Sequence, residues 1–304
     1  MENIVDRETD FFADQAISSG TAGRSFGNRL LTTLCIGLSF LTLIPLFSIV
    51  YMLLVKGLPL LSWEVFTELP PAAGLTGGGF GNAIVGTFVM VAIALAIATP
   101  LGMLSAIYVT EYAPYSRLSR IVRFVAKLLT GIPSIIAGVF AYAIIVLYGF
   151  SIFGVEIIPR GFSAFAGGVA LAVLILPTIL LTSEQALLGV QRAYREASFG
   201  LGATPFQTIW RIVLPEALPA MMTGVMLAVA RAAGETAPVL FTALFSAFYA
   251  KSILDETASL SVLIYNFATL PYEHQVNLAW TASLVLVALV TATNVFAQLV
   301  FRKK

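Results

Sequence analysis

The chain has 304 residues, of which 59% are hydrophobic and 11% charged, with a net charge of +1 and a mean hydropathy of +0.93. The apolar share exceeds that of soluble domains and the charged share falls well below it, which excludes an ordinary soluble fold and marks an integral membrane protein. So small a net charge gives no basis for binding nucleic acid, and the lone cysteine, Cys35, excludes an intrachain disulfide.

The N-terminal stretch opens "MENIVDRETDFFADQ". It is mixed and acidic and lacks the basic-then-apolar layout of a cleaved signal peptide, so residues 1–28 read as a cytoplasmic tail. Residues 29–304 read as one transmembrane domain, all-α, because a spanning helix needs about 20 mostly apolar residues and six stretches offer them. These are 30–55, 81–110, 131–149, 164–182, 217–250 and 276–301, the fifth long enough to bend or break.

The alternation of loops places thirteen of the 17 Lys and Arg on one side of the membrane and only Lys56, Arg160 and Lys251 on the other, with Arg231 between. The positive-inside bias then puts both termini of this multi-pass membrane protein in the cytoplasm. Pro100 and Pro133 are expected to bend or begin spanning helices. Glu111, at the cytoplasmic end of the second span, is expected to meet a loop arginine as a surface contact. "ELPPAAGLTGGGFGN" at 68–82 reads as an outer loop leading into a helix, and His274 as an outer-loop residue without convergent metal ligands.

The longest cytoplasmic connection, about 183–216, is patterned too closely for a passive linker. Thr204 can cap a helix that starts at Pro205, with Gln207 closing a capping box. Phe206, Ile209, Trp210 and Val213 share the spacing of one apolar stripe, and Pro215 disfavours helix at Leu214, which predicts a rod of about two turns. Gly200 and Gly202 break the helix before it, which carries Arg195, Glu196 and Ala197. A rod of this kind suits lipid contact, packing beneath the bundle, or a partner protein.

The fifth span carries "LAVARAAGETAPVLFTAL" at 227–244. Ala220, Gly224, Ala228 and Ala232 recur every four residues, the small-residue ladder that lets helices approach closely in lipid. Arg231 and Glu235 fall along that packed side and are one turn apart. They serve either as a buried ion pair locking the bundle or as part of a substrate pathway, the commoner use of intramembrane charge. Pro238 denies a hydrogen bond to the Gly234 carbonyl, so the helix should kink or open there, and the guanidinium fork suits a tetrahedral oxyanion.

Two resemblances narrow these readings. "REASFGLGATPFQTIWRIVLP" at 195–215 resembles the EAA loop of ABC importer permeases, with Glu196, Ala197, Gly202, Ile212, Leu214 and Pro215 matching and Ser198 standing where alanine is usual. That resemblance implies a type I (MetI-like) permease fold and a coupling helix, with Phe206 and Trp210 on it, that docks on a separate ATPase subunit. "VARAAGETAPVLFTAL", "SAIYVTEYA" at 105–113 and "TGIPSIIAGVFAY" at 130–142 resemble the permease subunit of phosphate importers of the PstA type. This implies a heterodimer with a second permease subunit, a homodimer of ATPase subunits that use ATP and Mg, and an extracytoplasmic phosphate-binding protein. It also implies that Arg231 and Glu235 take part in phosphate passage or its gating, with the adjacent Thr236 on the same pathway.

The sequence lacks GxxxxGK[ST], HExxH and GxSxG patterns, so neither ATP hydrolysis nor other catalysis, and no bound cofactor or metal, is expected of this chain itself. The alternatives are a permease for sulfate, molybdate or phosphonate, an ion-gradient-driven secondary transporter, against which the lack of an evident internal repeat argues, and a membrane scaffold.

Overall fold

In hydrocarbon every backbone N–H and C=O must find its partner within the segment, so apolar runs of this length fold as helices. The computed structural model describes residues 21–152, 155–158 and 160–301. The N-terminal tail therefore lies largely outside the described residues, and helix α1 (Thr21–Gly57) already includes its last eight positions.

By its internal contacts the chain divides at residues 54 and 55. The first unit is α1 up to Leu54, a helix interrupted by no loop despite Pro45. The second unit begins with the end of α1 and holds α2 (Gly81–Ile107), which continues through a π-helical turn at Tyr108–Tyr112. It then has α3 (Arg117–Gly131), α4 (Ser134–Ala141, with a π-helical extension at Tyr142–Leu147) and α5 (Ala164–Leu188). Helix α6 (Arg192–Gly200) precedes α7 (Pro205–Gly234), and α8 (Ala237–Thr242), α9 (Leu260–Ala268) and α10 (Glu273–Phe301) follow. One hairpin, Phe150–Ile152 against Val155–Ile158, departs from the all-helical pattern.

Five of these helices are long and apolar enough to cross a membrane, and α3 with α4 makes a sixth if the pair counts as one broken span. The third expected span, 131–149, starts instead at Ser134, after a bend of 106° between α3 and α4. Pro133 sits at that bend and begins α4, whereas Pro100 lies inside an unbroken α2. The fifth expected span, 217–250, is corrected at both ends. Its helix begins at Pro205 and stops at Gly234; α8 and an irregular stretch follow. Helix α9, nine residues with Ser261 and Asn266 among them, is too short to have stood out as a span.

The core lies where α2, α5 and α7 meet. Met90, Ala94 and Ala98 pack with Leu171, Ile175 and Ile179 and with Val225, Ala228 and Ala232. Small residues permit the approach, since a Cβ added to Gly224 would lie 2.1 Å from Thr182 Oγ1. At one end of the bundle Phe80, Leu260, Leu263, Leu278 and Ala282 form a second cluster. At the other, Ala106, Ile107, Leu187, Val190, Ile209, Val213 and Met221 close the base of the α5–α7 connection.

Candidate functional site

The site has two parts joined by α7: an intramembrane arginine toward its end and a bracketed loop at its start. Arg231 occupies the last turn of α7, where the helix dipole favours a cation. Its Nε lies 3.4 Å from Glu235 Oε1, and its Nη1 lies 3.5 Å from Thr178 Oγ1 on α5. The two side chains are 36% and 17% exposed. These are long contacts, at the outer limit of hydrogen bonding, and Nη2 has no partner among the described residues.

The backbone opens where Pro238 was expected to open it. Glu235 leaves helical geometry with ψ 130°, and its carbonyl accepts a hydrogen bond of 2.8 Å from Ser261 Oγ on α9. Thr236 precedes the first residue of α8, with no side-chain cap on that helix, and Pro238 falls within its first turn, where no donor is needed. Pro238 packs on α4 so closely that a Cβ added to Gly138 would lie 2.5 Å from Pro238 Cα. Helix α4 and the first turn of α8 are thus in close contact. Of the small-residue ladder, Gly224, Ala228 and Ala232 are buried while Ala220 is exposed. A groove of about 420 Å³, lined by Thr182, Thr223, Gly224, Leu227 and Asn294 among others, ends one turn from Arg231.

The loop is held by its own capping chemistry. Thr204 accepts from the Gln207 N–H at 3.3 Å and the Gln207 side chain accepts from the Thr204 N–H at 3.0 Å, with Pro205 in the first turn. Gly202, at φ +82°, makes the turn out of α6.

The rod does not end at Leu214. A π-helical turn over Ile209–Val213 carries it into the rest of α7, and the Leu214 N–H bonds to Ile209 O. Widening the turn relieves the clash that Pro215 would make with the preceding turn of an α-helix. The same extra residue splits the expected stripe: Ile209 and Val213 are buried, while Phe206 and Trp210 are exposed with ring centroids 5.8 Å apart. Glu196, Ala197, Gly202 and Pro215 are exposed with them, and Ile212 and Leu214 are half-buried.

Three polar ties escaped the sequence reading or were misjudged by it. Ser198 and Thr208 hydroxyls lie 2.8 Å apart and are buried, linking α6 to α7. Arg123 donates to Glu184 Oε1 at 2.5 Å and to the carbonyls of Pro114 and Val109. Glu111 pairs with Arg195 at 2.6 Å, and with side-chain exposures of 9% and 19% this is no surface contact. Arg195 sits a few residues beyond the end of α5 and reaches back to the carbonyls of Leu187 in its last turn and of Val190 just after it, which draws the pair inward. The signal was a carboxylate next to the end of each apolar run, Glu111 and Glu184, within reach of an arginine-rich loop.

Residues 98–304 match the family described as the binding-protein-dependent transport system inner membrane component. The chain belongs to that permease family. It is 38% identical over 285 residues to the phosphate transport system permease protein PstA of Haemophilus influenzae, covering 92% of this chain and 97% of that one. With the protein of the same name from Yersinia pestis it shares 34% over 300 residues, 99% and 98% of the two chains.

Solved structures show the fold. A chain of the inward-facing MetNI methionine ABC transporter superposes with a TM-score of 0.54 at 24% identity, covering 73% of this permease and 92% of that chain. A chain of a bacterial alginate ABC transporter in complex with its periplasmic protein superposes at 0.63 and 16% identity, covering 89% and 93%. The all-α, MetI-like permease architecture expected from the loop motif is the one found, in a multi-pass membrane component.

Proposed function

We propose that this chain is one permease subunit of an ATP-driven importer of inorganic phosphate, forming half of the pathway beside a second permease subunit. The observation that carries the reading is the near-full-length relation to permeases named for phosphate transport, in a chain whose α7 sets Arg231 beside a helix break within the bundle. Physical chemistry supports the same substrate class. An arginine with a free Nη2 and only long contacts elsewhere can offer its fork to a tetrahedral oxyanion, which then displaces the Glu235 carboxylate. Thr178 offers its hydroxyl beside the guanidinium.

The work comes from a partner. The loop sits at the cytoplasmic face, with both termini on that side, and its exposed residues Glu196, Ala197, Gly202, Phe206 and Trp210 dock on an ATPase subunit that uses ATP and Mg. An extracytoplasmic phosphate-binding protein delivers the ion to the opposite face. Closure of the ATPase dimer moves the loop, and α7 passes that movement toward Arg231 without an intervening hinge, because the π-helical turn keeps the helix continuous.

Reconstitution of this chain with its second permease, ATPase and binding protein in liposomes tests the reading. Labelled phosphate should accumulate on ATP hydrolysis; accumulation of sulfate or molybdate with phosphate excluded overturns the substrate, and accumulation driven by an ion gradient alone overturns the energy source.

A further inference from the structure

The end of α2 is fastened by two arginines that reach it from different elements. Arg123, on α3, donates to Val109 O and Pro114 O at 2.7 and 2.9 Å while its Nε holds Glu184 on α5. Arg195, on α6, holds both carboxylate oxygens of Glu111, at 2.6 and 3.3 Å. It also donates to Leu187 O in the last turn of α5 and to Val190 O just beyond it, at 3.0 and 2.7 Å. Both arginines thus meet the base of the bundle, but Arg195 belongs to the loop that carries the exposed Glu196 and Ala197, whereas Arg123 lies on α3 outside that loop.

Among the described residues, helix α6 has one further polar side-chain link, from Ser198 to Thr208 on α7. Movement of the loop therefore has two polar routes inward, into α7 through Ser198 and into α2 through Arg195. The second route ends on an unusual piece of backbone. Glu111 lies in the π-helical turn Tyr108–Tyr112, closed by Ala113 N–H to Tyr108 O at 3.0 Å, a one-residue insertion of the kind found mostly at functional sites. The apolar contacts of Ala106 and Ile107 with Ile209 and Val213 are non-directional and allow sliding. A two-oxygen grip on a guanidinium does not.

We propose that Glu111 is a positioning residue for transport: with Arg195 it forms the link that carries movement of the coupling loop into α2, while Arg123 and Glu184 form the static anchor against which that link pulls. The inference rests on the reading of the loop as the ATPase-docking element. It adds the receiving group within this chain and separates two ion pairs that look alike in distance.

The test uses the complete reconstituted complex and three variants, Glu111→Gln, Arg195→Lys and Glu184→Gln, with three readouts: recovery of assembled complex, ATP hydrolysis stimulated by loaded binding protein, and labelled phosphate accumulated per ATP. Glu111→Gln and Arg195→Lys should assemble and hydrolyse ATP, yet accumulate about tenfold less phosphate per ATP, the shift expected when a charge-assisted contact is lost from one of two states. Glu184→Gln should lower recovery and leave the ratio in the surviving complex unchanged.

Unchanged phosphate per ATP in assembled Glu111→Gln and Arg195→Lys complexes overturns the proposal. So does failure of both to assemble, which would make the pair structural, or an equal fall in the ratio for Glu184→Gln. A wild-type complex that accumulates a different oxyanion overturns the substrate reading alone, and the ratio is then measured with that ion.

Discussion

The hydroxyls of Ser198 and Thr208 stand 2.8 Å apart inside the loop, each side chain buried, and close a bracket between α6 and the start of α7. Alanine at 198, the residue usual in the loops this one resembles, would leave the Thr208 hydroxyl buried without that partner. An unsatisfied buried hydroxyl costs roughly 1–3 kcal/mol, so Ser198→Ala should lower the melting temperature of the detergent-solubilised protein and speed tryptic cutting at Arg192 and Arg195. Equal cutting rates for variant and parent would show that the bracket is held by its apolar contacts alone.

Helix approach sets a second expectation. At Gly224 the nearest atoms to an added Cβ are the side chain of Thr182, whereas at Gly138 the nearest is the backbone of Pro238. Gly224→Ala should destabilise by about 1–3 kcal/mol through overpacking, and Thr182→Ala in the same chain should recover part of that loss. Gly138→Ala should be the more severe, and truncation of the Pro238 ring should not rescue it, because the clash is with main chain. Thermal unfolding of the four variants beside the parent in one detergent checks the contrast.

What the sequence made legible follows from the range of the interactions. The capping box at Thr204, the turn at Gly202 and the helix break before Pro238 are each written within a few residues, and each stands in the structure as read. The continuation of α7 past Pro215 was not legible, because one proline argues locally for termination and only burial of Ile209 and Val213 against α2 and α5 rewards carrying the helix on. The bend between α3 and α4 and the inward turn of Glu111 were hidden for a related reason. Hydropathy places a residue along the membrane normal but does not reveal which helix lies beside it. The partners of Arg123 are up to 61 residues away in sequence.

Arg231 offers a direct test of the pathway. Arg231→Lys keeps the charge but replaces a planar fork with a point donor, and Arg231→Ala removes both. If the fork receives the oxyanion, uptake in the reconstituted complex should fall by about tenfold or more for lysine and further for alanine, with assembly preserved in both. Were the arginine only a structural partner of Glu235, lysine should retain uptake and Glu235→Gln should mimic the alanine variant in thermal stability.

The exposed ring pair on the loop gives the last expectation. Phe206 and Trp210 lie against each other with tilted rings at the start of α7 and are exposed, whereas Ile209 and Val213 are buried. Aromatic side chains at the centre of an interface commonly contribute about 2–4 kcal/mol each to binding, and tryptophan leads that ranking. Trp210→Ala should therefore weaken co-isolation with the ATPase subunit by at least about thirtyfold in affinity. Phe206→Ala should do so less, since its ring is supported by Trp210. Neither change touches the core, so the melting temperature of the isolated chain should stay within a degree or two of the parent's, roughly the effect of surface substitutions. Surface-captured permease titrated with ATPase subunit reads both affinities, and a Trp210→Ala chain that binds as tightly as its parent would move the docking surface elsewhere on the loop.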